Sequence, residues 1–209
     1  MSPIAPPPSR RGRRRPGLRS LLLVVPLFAW AAPAFAADRR PREVTLEIER
    51  MISAGVSYLV RTQNRDGSWN NMGGWGSYPT AMTALAGTAL LMNGNTPTRG
   101  PHARNVRRAA DFLLRVAQPS GLIATPPEEG RSMHGHGFAM LFLAQVYGME
   151  EDRATQRRVR DVLTRAVRIT ERSQSRAGGW LYSPNSDGDE GSVTVTQMQG
   201  LRACRDAGI

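Results

Sequence analysis

The residues best suited to chemistry fall in three glycine-rich segments. The last of them, GGWLYSPNSDGDEGSV over 178–193, places Asp187, Asp189 and Glu190 just ahead of an apolar run. Acids set among Gly, Ser and Asn at a helix start serve as turn and capping groups. The same stretch also reads as a calcium loop, although Asp-Gly-Asp-Glu-Gly lacks the ligand ladder of an EF-hand. In the middle segment His134 and His136 are spaced i, i+2, so on a regular helix they diverge, whereas a helical metal pair needs i, i+4. On a loop they could converge with nearby carboxylates, or simply hydrogen-bond loop backbone. The single cysteine, Cys204, lies late in an apolar segment and reads as a packing residue. Neither a metal site nor a cofactor is expected: GxSxG, P-loop, Rossmann, HExxH and CxxC patterns are all missing.

These segments join two kinds of helix. Ahead of each lies an amphipathic stretch, with Ile48, Ile52, Gly55 and Leu59 on one face of the first, Val106, Ala110, Leu113 and Ala117 in the second, and Val159, Val162, Leu163, Ala166 and Val167 in the third. Their other faces carry charge, for example Arg107, Arg108, Arg115, Arg158, Asp161 and Arg165, and read as solvated. After each segment comes a run that is apolar or small nearly all round: 81–92, 137–147 and 192–204. A helix of that kind must be covered on every face, which one helix pair cannot do for itself, so neighbouring pairs must stack. The expected fold is all-α, in three pairs over about 43–93, 102–148 and 152–208, with two concentric helix layers. Because every long segment joins an outer-helix end to an inner-helix start, all three emerge on one rim. Trp75, Tyr78, Thr80, Glu128, Glu129, His134, His136, Tyr182 and the 187–190 acids then converge, facing the positive ends of the inner helices.

The pairs share the elements Gln63-x3-Gly67-Ser-Trp69 and Gln174-x3-Gly178-Gly-Trp180, with a degenerate copy at Gln118 and Gly121. This pattern resembles the QW repeats of the prenyltransferase and squalene cyclase superfamily, and the stretches around 78–91, 132–148 and 192–209 resemble exported squalene cyclase-like repeat proteins. The resemblance spans 43–209. It implies an α/α toroid of which three helix pairs make about half a ring, and a glutamine amide that satisfies orphan N–H groups at a helix N-terminus while the tryptophan packs over it. It further implies that Asp189 matches the proton-donating acid of squalene-hopene cyclases, flanked by Asp187 and Glu190. That acid must be held protonated by burial and like-charged neighbours to act on an isoprenoid lipid. The alternatives are a non-catalytic exported scaffold for a surface partner such as a glycan or protein, and a carbohydrate-active α/α-barrel enzyme using rim carboxylates. Half a ring leaves inner helices uncovered, so the expectation is either a missing C-terminal half or a homodimer.

The chain's 209 residues carry a formal charge of +11, which on its face suggests nucleic acid. Nine of the 28 cationic residues, all arginine, precede Glu43, however, against one acid, Asp38. An arginine-rich start, the run LLLVVPLFAWAAPAF and Ala34-Phe35-Ala36 together read as an export signal over 1–36, with 37–42 as a linker. Arg14-Arg15 leaves a twin-arginine route open beside the general one, and an uncleaved signal would instead leave a membrane anchor. A chain placed outside the cytoplasm, with no lysine at all, argues against a nucleic-acid partner.

Overall fold

A computed structural model describes residues 44–70 and 77–209. The expected export signal, the linker and Trp75 lie outside the described residues, as does the side chain of Glu129. The described chain is all-helical: α1 (Leu46–Thr62), α2 (Pro79–Met92), α3 (Ala103–Val116), α4 (Met133–Met149), α5 (Arg153–Arg172) and α6 (Gly191–Asp206), with a short 3-10 helix at Pro126–Arg131 before α4. None of these helices is long and apolar enough to cross a membrane.

Four of the six helix starts have a local cause. The Thr45 hydroxyl accepts from Ile48 N–H at 3.3 Å to start α1, the Asp152 carboxylate accepts from Thr155 N–H at 2.7 Å to start α5, and Glu190 accepts from Val193 N–H at 2.9 Å to start α6. Pro79 opens α2, where its missing N–H costs nothing. Helix α4 starts four residues earlier than its apolar run, so both histidines fall inside it rather than on a loop.

Helix α4 is the centre of the packing, flanked by α2 and α6, with α3 and α5 on its outer side. Its Gly137 lies so close to α6 that a Cβ there would stand 2.6 Å from the Thr196 carbonyl oxygen. Met133, Met140, Phe142, Leu143 and Val146 are fully enclosed. On α3, Val106, Ala109 and Leu113 are buried, as are Val159, Leu163 and Ala166 on α5. Covering falls short at the two ends. Ile48 and Ile52 of α1 are exposed, and only Val56 of that helix is buried, contrary to the expected buried face. On α2, Leu85 and Met92 stand in solvent, and on α6 so do Val195 and Met198. Among the inner helices α4 packs against both α2 and α6, whereas each of those packs mainly against α4.

The arginines of α3 are not simply solvated. Arg107 pairs with Glu150, whose side chain is fully enclosed, Arg108 donates to the Asn64 carbonyl, and Arg115 donates to the Asp66 carbonyl at 2.8 Å. They tie α3 to the turn after α1 and to the loop after α4. Burial opposes ionisation of Glu150, but the Arg107 hydrogen bond and charge outweigh it and hold the carboxyl below its ordinary pKa.

Candidate functional site

The turns after α1, α3 and α5 have matching backbones. Asn64, Gln118 and Ser175 each accept from a glycine N–H three residues on, at 3.0, 3.0 and 2.9 Å. Those glycines, Gly67, Gly121 and Gly178, have φ of 96°, 98° and 97°, a region that disfavours side chains. Aligned on these glycines, the turns put Ala117, not Gln118, opposite Gln63 and Gln174. Spacing read from glutamine alone misplaces the middle turn by one residue, because the glycine is the conformationally obligatory position.

Two tryptophans complete this arrangement. Trp69 Nε1 donates to the Leu59 carbonyl at 2.9 Å, and Trp180 Nε1 donates to the Thr170 carbonyl at 2.8 Å. Both acceptors belong to the last turn of an outer helix, where the regular helical donors run out; each has one longer bond besides, from the Thr62 hydroxyl to Leu59 at 3.4 Å and from the Ser173 N–H to Thr170 at 3.2 Å. The glutamines likewise donate to carbonyls: Gln63 Nε2 to Gly67 at 2.9 Å and to Asn105 at 3.0 Å, and Gln174 Nε2 to Gly178 at 2.7 Å. Gln63 Oε1 accepts from the Asn105 side chain at 2.8 Å. The tryptophans therefore tie down helix C-termini and the glutamines turn carbonyls; Gln63 also reaches the first turn of α3, but through the Asn105 carbonyl and side chain in place of the N–H groups that the resemblance implied.

The same geometry explains His136. Trp69 N–H donates to Thr83 Oγ1 at 2.9 Å and Trp180 N–H to Thr194 Oγ1 at 3.1 Å. In the middle turn Ile123 stands in the tryptophan's place, and its N–H donates to His136 Nδ1 at 3.1 Å. With Nδ1 accepting, the ring proton is on Nε2 and goes to Thr170 Oγ1 at 3.0 Å. His136 is fully buried, and burial pushes its pKa down to about 4, so it is a neutral core residue and not part of the rim. Glu128 also leaves the rim. It is 3% exposed, and its two oxygens accept from the N–H and hydroxyl of Thr80 at 3.0 and 2.6 Å and from those of Thr125 at 3.1 and 2.6 Å. Thr80 is likewise consumed in this contact between α2 and the second loop.

What remains at the rim is a cleft of about 310 Å³ lined by Tyr78, Ala81, Met82, Arg131, His134 and Tyr182. It draws Tyr78 from the first segment, His134 from the second and Tyr182 from the third, as expected from their shared end of the helices. Arg131 was missed by the sequence reading; its one signal was its place beside the histidines at the inner-helix start. The Met133 N–H donates to the Tyr182 carbonyl at 3.1 Å, fastening the third segment across the start of α4. His134 and Tyr182 rings lie with centroids 5.8 Å apart, tilted by 33°, and the Arg131 guanidinium sits 5.8 Å from the Tyr182 ring centre.

One side of the cleft carries a Ser–His–Glu contact that is not a catalytic triad. Ser192 Oγ donates to Glu190 Oε2 at 2.5 Å, so His134 Nε2, 2.7 Å from the same hydroxyl, must supply the proton of their bond. The imidazole thus cannot take the serine proton, and the acid contacts the serine rather than Nδ1. Desolvation holds the His134 pKa below its ordinary value, partly countered by Glu190, 4.0 Å away. The Ser192 and Val193 hydrogen bonds hold the Glu190 carboxyl below the usual carboxylate range. Asp187 pairs with Arg176 at 2.7 Å and is well exposed, and Asp189 is exposed too. The burial that an alkene-protonating acid requires is therefore lacking at both.

Cys204 is buried, and burial pushes its thiol up to about 12. Among the described residues no group of three or more His, Cys, Asp and Glu is gathered to hold a metal ion. A scan of the chain against models of known protein families matches none of them.

Proposed function

We propose that residues 43–209 form about half of an α/α toroid of the squalene cyclase-like type, exported through residues 1–36. In this reading it works as a non-catalytic binding or scaffold module, with the rim cleft as its binding site. The observation that carries the proposal is the division of labour at the rim. One ring from each segment, Tyr78, His134 and Tyr182, lines a single cleft together with Arg131, while the acids nearest to it are held in a helix cap and a surface ion pair. A cleft near the lower end of ligand-site volumes, walled by two tyrosines, a histidine and an arginine at the start of α4, suits a ring-shaped ligand bearing an anionic group. The tyrosines offer flat apolar faces, and Arg131 and the helix end offer positive charge. An acidic glycan unit fits that description. Acid-initiated cyclisation is the weaker reading, because Glu190 is held ionised and Asp189 is in water.

The test is a chemical-shift titration of the protein with glucuronate-containing and neutral oligosaccharides. Saturable shifts at Tyr78, Arg131, His134 and Tyr182, weakened in Arg131→Ala and Tyr182→Ala, are expected. Shifts confined to other surfaces would refute the site. Turnover of squalene that is abolished in Asp189→Asn would refute the non-catalytic reading.

A further inference from the structure

The same contact is made twice within the chain. The turn after α1 lies on the backbone of α3, where a Cβ at Gly67 would overlap the Arg108 carbonyl oxygen and stand 2.7 Å from its carbon. The turn after α3 lies on α5 in the same way, with a Cβ at Gly121 overlapping the Arg165 carbonyl oxygen and 2.6 Å from its carbon. The turn after α5 has the same glycine conformation, yet nothing lies within 4 Å of a Cβ at Gly178.

The surface that would fill this socket exists at the chain's other end. Arg108 and Arg165 stand nine residues before Ala117 and Gln174, and nine residues before Gln63 is Ala54. Ala54 is exposed. The next position holds a small residue in all three helices: Ala109 and Ala166 are fully buried, but their counterpart Gly55 is exposed with nothing near it. Val106 and Leu163 are 0% exposed, whereas their counterpart Ile52 is 48% exposed. The inner layer shows the same asymmetry. Val195 and Met198 of α6 line an open groove of about 580 Å³, and Leu85 and Ala89 of α2 line another of about 300 Å³ beside α1.

The geometry points to head-to-tail self-association, in which the Ala54–Gly55 face of α1 in a second copy seats against the Gly178 turn, and the Leu85 face of its α2 against Val195 and Met198. A second copy is the occupant because each chain carries both halves of a contact it already makes internally twice, so the interface continues an existing one. The two surfaces differ, which makes the contact heterologous. It does not depend on what the rim cleft binds.

The test uses the full chain, expressed from Met1, in light scattering and in disulfide trapping. Mass of two or more copies is expected, and Ala54→Arg, on a face exposed in the single chain, should weaken association at least about 30-fold with unchanged helical circular dichroism. When Ala54→Cys and Ala177→Cys proteins are mixed, the disulfide should form between unlike copies, since Cys204 is enclosed. A monomer at the highest soluble concentration, or a disulfide joining two Ala54→Cys copies through like faces, would overturn the proposal.

Discussion

Lowering the pH from 7.5 to 5 is expected to destabilise this fold through His136. The imidazole is enclosed, its partners Ile123 and Thr170 are uncharged, and its pKa is pushed down to about 4 from an ordinary 6.5. Below pH 6.5 the unfolded chain binds a proton that the folded chain refuses, so stability is complete above that pH and declines as pH falls toward 4. By pH 5 the unfolded imidazole has gained about 1.5 pH units of protonation free energy, or about 2 kcal/mol, of which the folded state recovers almost nothing. Asp66, Asp152 and Glu150 are held below their ordinary carboxylate values and stay ionised through this window. Urea unfolding followed by circular dichroism should show a midpoint about 1 M lower at pH 5, for a slope of about 2 kcal/mol per M. His134→Gln serves as the background, because the His134 imidazole is displaced in the same direction. In that background His136→Asn retains an acceptor for the Ile123 N–H and cannot take up a proton. It should cost about 1–3 kcal/mol at pH 7.5 through the lost Thr170 bond and cavity, and remove most of the pH dependence. An equal loss between pH 7.5 and 5 with and without His136 would refute the reasoning.

Three further outcomes follow from the same contacts. Gly121→Ala should prevent stable folding or lower stability by more than about 3 kcal/mol, since it combines strain with backbone overlap, while Gly178→Ala, measured at a dilution that keeps chains apart, should cost about 1–2 kcal/mol from strain alone; equal melting shifts would contradict the open socket. Trp69→Phe and Trp180→Phe should each cost about 1–3 kcal/mol by removing the indole bond from a helix-terminal carbonyl and leaving it only its longer second bond, read as additive losses in urea midpoint. Asp189→Asn should change stability by less than about 0.5 kcal/mol, as expected of an exposed acid, and leave any glycan binding intact; a large loss of either would restore a role for this residue.

The all-helical class, the six helices and their amphipathic or uniformly apolar character were legible from residue periodicity, which is a property of the local backbone. So was the shared end of the helices where Tyr78, His134 and Tyr182 meet, because connection order alone forces it. The obligatory glycines were legible too, although the middle turn's register was not: glutamine at 118 drew attention from Ala117, and only the positive φ of Gly121 identifies the true correspondence. The same local spacing that puts His134 and His136 on diverging faces of α4 could not say which faces the rim and which the core. That depended on Ile123 presenting an unpaired N–H where two other turns present theirs to threonine hydroxyls. Likewise the apolar face of α1 and the Val195–Met198 side of α6 look in sequence like those of α3 and α4, yet remain uncovered. Hydrophobic pattern is written in each helix, but burial needs a neighbour on that side, and only the tertiary arrangement decides where neighbours stop.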